Sequence, residues 1–157
     1  MKRNWKVYGA WVALSEGVGL LSALLSGKGM EVYGQTVMQP ALAPPMWVFG
    51  VVWPILYGLM GISAAMIWLS PKSRLRSRGL NLFMAQLVVN FFWSLIFFNL
   101  QAFGLAFFWL MLLWALVAWM IWTFYQGKPL AAWLQIPYLI WLTFAGYLSL
   151  AVWMMNR

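Results

Sequence analysis

Residues 95 to 122 read LIFFNLQAFGLAFFWLMLLWALVAWMIW, without one charged side chain. Such a run has no soluble solution. Its length exceeds the roughly 20 helical residues that cross a hydrocarbon core of about 30 Å. Its residues also do not alternate apolar and polar, as the roughly 10-residue strands of a transmembrane barrel would. Four further apolar stretches accompany it. The spans are placed near 7–25, 47–69, 79–98, 103–125 and 130–155, which uses nearly all of the 157 residues. Composition agrees: 65% of residues are hydrophobic and 8% charged, with a mean hydropathy of +0.82. The expected fold is all-α, one integral membrane domain of five transmembrane helices, with a long loop over 26–46 between the first two. The first stretch follows the basic start MKRNWK, as a signal peptide would. Its length, Glu16 within it and the lack of a small-residue cleavage pattern make it a span instead.

Cysteine and histidine are absent, and Glu16 and Glu31 are the only carboxylates. That removes thiol and imidazole chemistry and any metal site of Cys, His and paired acids. It also leaves little for acid–base catalysis, since one acid is assigned to a span and the other to a loop. No cofactor is expected, and any chemistry falls to a ligand.

The net charge of +8 is explained by topology. Lys2, Arg3 and Lys6 precede the first span. Lys72, Arg74, Arg76 and Arg78 separate the second from the third, and Lys128 the fourth from the fifth. In a five-span chain these share one side, against Lys28 and Arg157 on the other. The positive-inside rule puts the amino terminus and the 70–78 loop in the cytoplasm, and the 26–46 loop and carboxyl terminus outside. The basic groups then meet anionic lipid rather than nucleic acid.

Polar and ring-bearing residues inside the spans nominate a site. Gln86, Asn90 and Ser94 stand four apart in AQLVVNFFWSLIFF and so share a helical face, flanked by Trp93 and Phe97. Amides are costly in hydrocarbon, so this face turns inward. It serves either as interhelical hydrogen bonding or as a pocket wall. The second span repeats the theme with Phe49, Trp53 and Tyr57, and its Pro54 frees a backbone carbonyl. In the fifth, Tyr138, Trp141 and Ala145 share a side, and Pro137 should loosen the helix. Of thirteen tryptophans, Trp5, Trp68, Trp133 and Trp153 fall at span ends and read as interfacial anchors. Trp53, Trp93 and Trp141 lie deeper and need partners for their N–H groups. Glu16 is either functional or a protonated, hydrogen-bonded structural group.

Three stretches together, GKGMEVYGQTVMQPALAPPMWVFGVVWPILYGLMG, QLVVNFFWSLIFF and FYQGKPLAAWLQIPYLIWLTFAGYLS, resemble the TspO family, bacterial relatives of the mitochondrial translocator protein. The likeness runs from about Gly27 to Ser149. It implies a five-helix bundle that pairs as a homodimer and binds porphyrins, sterols and isoquinoline or benzodiazepine drugs between its helices, under the first loop. Position by position, it implies Trp53, Asn90 and Trp141 as ligand-binding, with Tyr57, Phe97, Tyr138 and Ala145 beside them. Phe49, Trp93, Leu42 and Tyr33 complete the candidate set, and Pro40, Pro44 and Pro45 form the loop framework. The chain departs from the family pattern at Gln39, where a Lys is usual, at Leu42 and Val32, where Trp is usual, and at Ser149, where Asn is frequent. Tyr147 and Arg157 are too far apart for the sterol consensus. The expected function is a receptor or carrier for a tetrapyrrole or other flat apolar molecule. The alternatives are a light-dependent porphyrin-degrading photocatalyst, weakened by the missing loop indole, and an accessory subunit without a ligand.

Overall fold

A computed structural model describes residues 4–156, so Lys2, Arg3 and Arg157 lie outside the described residues. Its helices are α1 (Asn4–Thr36), α2 (Met46–Trp68), α3 (Arg74–Ser94), α4 (Phe103–Gly127) and α5 (Pro129–Met155). A π-helical turn, Leu95–Asn99, continues α3. All five, α3 together with its π turn, are long and apolar enough to cross a membrane, and the chain is an integral membrane protein. No strand occurs among the described residues.

Two boundaries differ from expectation. The expected 26–46 loop is largely helix: α1 continues to Thr36, and the connection to α2 is residues 37–45. Packing overrides the glycine-rich sequence of this segment. Tyr33 is buried against Phe97, Phe98 and Phe103, with ring centroids 5.2, 5.1 and 6.4 Å away. At Gly29 a Cβ would lie 2.8 Å from the Phe98 carbonyl, so only glycine allows this approach. The basic loop is likewise shorter than 70–78. Arg74, Arg76 and Arg78 belong to α3, whose N-cap Ser73 accepts a hydrogen bond from the Arg76 N–H at 3.1 Å.

The bundle centres on α3, the most buried span, while α1 is the least buried. On α1 the buried positions are Ser15, Ser22, Ser26 and Tyr33, spaced seven, four and seven apart. This narrow stripe of small residues lets α1 approach its neighbours closely. Its tightest crossing is with α2, where a Cβ on Gly61 would lie 2.5 Å from the Val12 Cα. Helices α4 and α5 pack along their lengths, joined by Lys128 alone. Pro129 opens α5 at a position where its missing N–H has no helical partner to lose. Pro54 and Pro137 stay inside α2 and α5 without ending either helix.

Candidate functional site

Helix α1 is pinned to α2 at Gly61 and to the end of α3 at Gly29, and between these crossings the helices part. The gap is a cavity of about 630 Å³, walled by α1, α2 and the last turns of α3. From α2 come Met46, Phe49, Gly50, Trp53, Pro54 and Tyr57; from the end of α3, Ser94 and Phe98. Phe49, Trp53 and Tyr57 follow one another at one-turn intervals, giving an aromatic strip about 12 Å long. Along α1 the wall is Glu16, Gly17, Gly19, Leu20, Ser22, Ala23, Met30 and Glu31. Gly19 has no side chain because the Tyr57 ring occupies the place of its Cβ.

Behind the aromatic strip runs a directed chain of hydrogen bonds linking three helices. The Tyr57 hydroxyl donates to the Asn90 amide oxygen. The Asn90 amide nitrogen donates to the Tyr138 hydroxyl at 2.7 Å, and that hydroxyl donates to the Gln86 oxygen at 2.7 Å. The Gln86 nitrogen ends the chain at the Met60 sulfur, 3.9 Å away. All of these residues are buried. Each amide and phenol in this dry region thus has a partner, as buried polar groups require. The polar face anticipated on α3 therefore acts as interhelical glue through Gln86 and Asn90, while Ser94, one turn further, reaches the cavity.

The candidate residues fall into three groups. Phe49, Trp53 and Tyr57 line the cavity. Asn90, Tyr138 and Trp141 form a second layer. Trp141 meets the Phe49 and Trp53 rings at 5.6 and 6.3 Å, and Tyr138 meets Trp53 at 6.3 Å. Ala145 is buried on the same face of α5. The third group stands apart: Trp93 stacks on Phe97 at 5.0 Å, and Tyr33 packs against Phe97. This cluster touches the cavity through Phe98. Leu42 is exposed in the connection and off the cavity wall. In the same connection, the Pro40 carbonyl accepts from the Ala43 N–H at 3.0 Å, while Pro44 leads into Pro45, the N-cap of α2.

Apart from Glu16, which stood out as an ionisable residue in a span, sequence reasoning missed the α1 wall. Its signal was present in the small residues Gly17, Gly19, Ser22 and Ala23, which leave room beside a ring-bearing helix. Glu16 meets α2 at Gly58, where a Cβ would lie 3.3 Å from its carboxylate oxygen.

The comparisons with known proteins agree with this architecture. The TspO/MBR family model matches residues 11–154. The human translocator protein is 35% identical over 151 residues, covering 95% of this chain and 89% of the relative. The tryptophan-rich protein TspO of Archaeoglobus fulgidus is 31% identical over 142 residues, covering 88% and 90%. Protein CrtK of Rhodobacter capsulatus is 37% identical over 122 residues, covering 77% and 76%. With its five membrane helices and a match spanning nearly its full length, the chain belongs to the TspO/MBR family.

Proposed function

We propose that this protein is a membrane receptor or carrier that holds a flat apolar ring molecule between α1 and α2. The class is that of tetrapyrroles and of isoquinoline- or benzodiazepine-type compounds, with sterols as weaker candidates. The observation that carries this reading is the aromatic strip of Phe49, Trp53 and Tyr57 on a cavity of about 630 Å³. That volume lies in the range of small-molecule sites, and stacked rings supply affinity by burial and offset contact. Tyr57 is held by Asn90, and Trp53 is backed by Tyr138 and Trp141. A preformed wall of this kind lowers the ordering cost of binding. Binding is favoured over photochemistry because Leu42, which stands in place of the loop indole, is exposed and is not part of the cavity wall.

The chain resides in a membrane with its amino terminus and the Arg74–Arg78 end of α3 on the cytoplasmic side, the orientation that its basic residues favour. The bacterial cytoplasmic membrane is the proposed location, and a homodimer the proposed assembly. Tryptophan fluorescence in non-ionic detergent tests the binding reading. Titration with the neutral dimethyl ester of protoporphyrin and with an isoquinoline carboxamide should quench saturably. Trp53→Ala should weaken binding at least tenfold, and Asn90→Ala or Trp141→Ala should weaken it to a lesser degree. Equal affinity in all three variants sinks the placement.

A further inference from the structure

Helix α3 begins against its own dipole. The N-terminal end of a helix carries partial positive charge and favours acids, yet Arg74, Arg76 and Arg78 alternate along the start of α3 and no acid stands in its first turn. The rest of the chain does not supply the missing negative charge, because its two carboxylates, Glu16 and Glu31, both belong to α1 and line the other cavity. One of the three arginines is settled within the protein. The Arg76 Nε donates to the Trp68 carbonyl at 3.0 Å, and its guanidinium lies 4.5 Å above the centre of the Trp68 ring.

Arg74 and Arg78, one turn apart, instead line an open groove of about 720 Å³ between the start of α3 and Trp119 of α4. No acid lines it. Its polarity changes along its length. Arg74, Ser77, Arg78 and Asn81 form the end at the helix start, and Ala85 stands roughly 16 Å further along the axis, with Trp119 on the facing helix. Positions 74, 78, 81, 85, 88 and 92 alternate steps of four and three residues, so they share one face of α3. Beyond Ala85 that face continues apolar and exposed through Val88 and Phe92. A small soluble anion would use only the arginine end. The apolar run in line with it, and an exposed indole beside it of the kind that marks membrane interfaces, fit a longer molecule with a charged head.

We propose that the α3–α4 groove is a binding site for one anionic phospholipid of the adjacent leaflet. The Arg74 and Arg78 guanidiniums, whose planar forks match phosphate oxygens, hold the headgroup at the positive end of the helix dipole. Ser77 and Asn81 offer hydrogen bonds to the glycerol and ester oxygens, and the acyl chains lie along Ala85, Val88 and Phe92 beside Trp119. This groove shares no lining residue with the cavity between α1 and α2. Its occupation is therefore tested separately from ring-ligand binding.

Native mass spectrometry from non-ionic detergent tests the site with dioleoylphosphatidylglycerol and dioleoylphosphatidylcholine, which have the same chains but differ in net charge. The anionic lipid should bind more tightly, on the order of tenfold. In the Arg74→Gln, Arg78→Gln double variant that preference should be largely lost, whereas Lys6→Gln, Lys128→Gln, which removes the same charge from outside the groove, should keep it. Thermal unfolding in detergent reports that both variants are folded, and the anionic lipid should raise the midpoint of the unsubstituted protein more than that of the arginine variant. Glycerol 3-phosphate, the headgroup chemistry without chains, should not displace the lipid at matched concentration. Equal affinity for the two lipids in the unsubstituted protein overturns the proposal. Equal loss of preference in the two variants overturns it as well, since the attraction would then be diffuse charge. Displacement by glycerol 3-phosphate at matched concentration would make the groove a small-anion site and overturn the lipid assignment.

Discussion

Tyr57 turns its ring to the cavity and commits its hydroxyl proton to the amide oxygen of Asn90, so one side chain is both cavity wall and interhelical strut. The pairing separates two roles that the α3 pattern left joined. Asn90 holds α2 to α5 through Tyr57 and Tyr138, while the rings that line the cavity are Phe49, Trp53 and Tyr57 of α2 and Phe98 at the end of α3.

Tyr57→Phe keeps the ring and removes the strut. It leaves the Asn90 oxygen buried without its donor, a loss of about 1–3 kcal/mol. The expected outcome is a lower thermal midpoint in detergent with a smaller change in ring-ligand affinity. An undiminished midpoint would show that the α2–α3 link does not stabilise the bundle. Asn90→Leu should cost more, because it also strips Tyr138 of a donor.

Gln135 offers the reverse case. It is fully buried on α5, and neither amide atom has a partner among the described residues. Replacement by a side chain of similar volume removes an unsatisfied polar group without opening a cavity. Gln135→Met should therefore raise the thermal midpoint, by about 1–3 kcal/mol of stability. A marked fall would mean that the amide is satisfied in the protein in its membrane, and the orphan reading would be abandoned.

The close crossing at Gly61 sets where α1 lies. A larger residue there must push against the Val12 backbone, which cannot yield as a flexible side-chain tip can. Gly61→Val is expected to separate α1 from α2, destabilise the protein by a few kcal/mol and weaken ring-ligand binding, since Glu16 and Gly19 move with the helix. Gly9→Val is the matched control for helix propensity, because Gly9 lies off the cavity wall and nothing lies within 4 Å of its Cβ position. Comparable losses in both variants would point to propensity rather than to the crossing.

Much of this architecture is legible in the residues because membrane helices leave a coarse signal. Apolar runs place five spans within a few residues, apart from the early starts of α1 and α3 and the late end of α1. Four-residue spacing identifies the inward faces of Phe49, Trp53 and Tyr57 and of Gln86 and Asn90. Spacing says which face turns inward, but not which layer a residue occupies. Asn90 and Trp141, which the family resemblance implies as ligand-binding, stand behind the rings of Tyr57, Phe49 and Trp53 that line this cavity. The extension of α1 was hidden for a different reason. GKGMEVYGQT has glycines and polar groups that locally favour a loop, and only long-range packing of Tyr33 and Gly29 on Phe98 keeps it helical. The α1 wall was hidden too, since glycines and serines mark a close approach without naming the partner.

The connection over the cavity end of the bundle is tied from an unexpected direction. The Asn156 side chain accepts from the Met38 N–H at 3.0 Å and donates to the Met38 carbonyl at 2.8 Å, pairing the end of the chain with the α1–α2 connection 118 residues earlier. Its amide nitrogen also donates to the Val152 carbonyl at 2.8 Å, which fixes the side chain on the last turn of α5. Because both partners lie near the surface, each bond contributes about 1 kcal/mol or less. Asn156→Ala should leave global stability nearly unchanged while freeing residues 37–45 to open. Hydrogen exchange in detergent should then speed up at Met38 by roughly tenfold, with little change at the α2 core near Met60. Asn156→Asp retains the acceptor but loses the donor, so it should restore only part of the protection. Exchange at Met38 unchanged in Asn156→Ala would show that other contacts hold the connection closed.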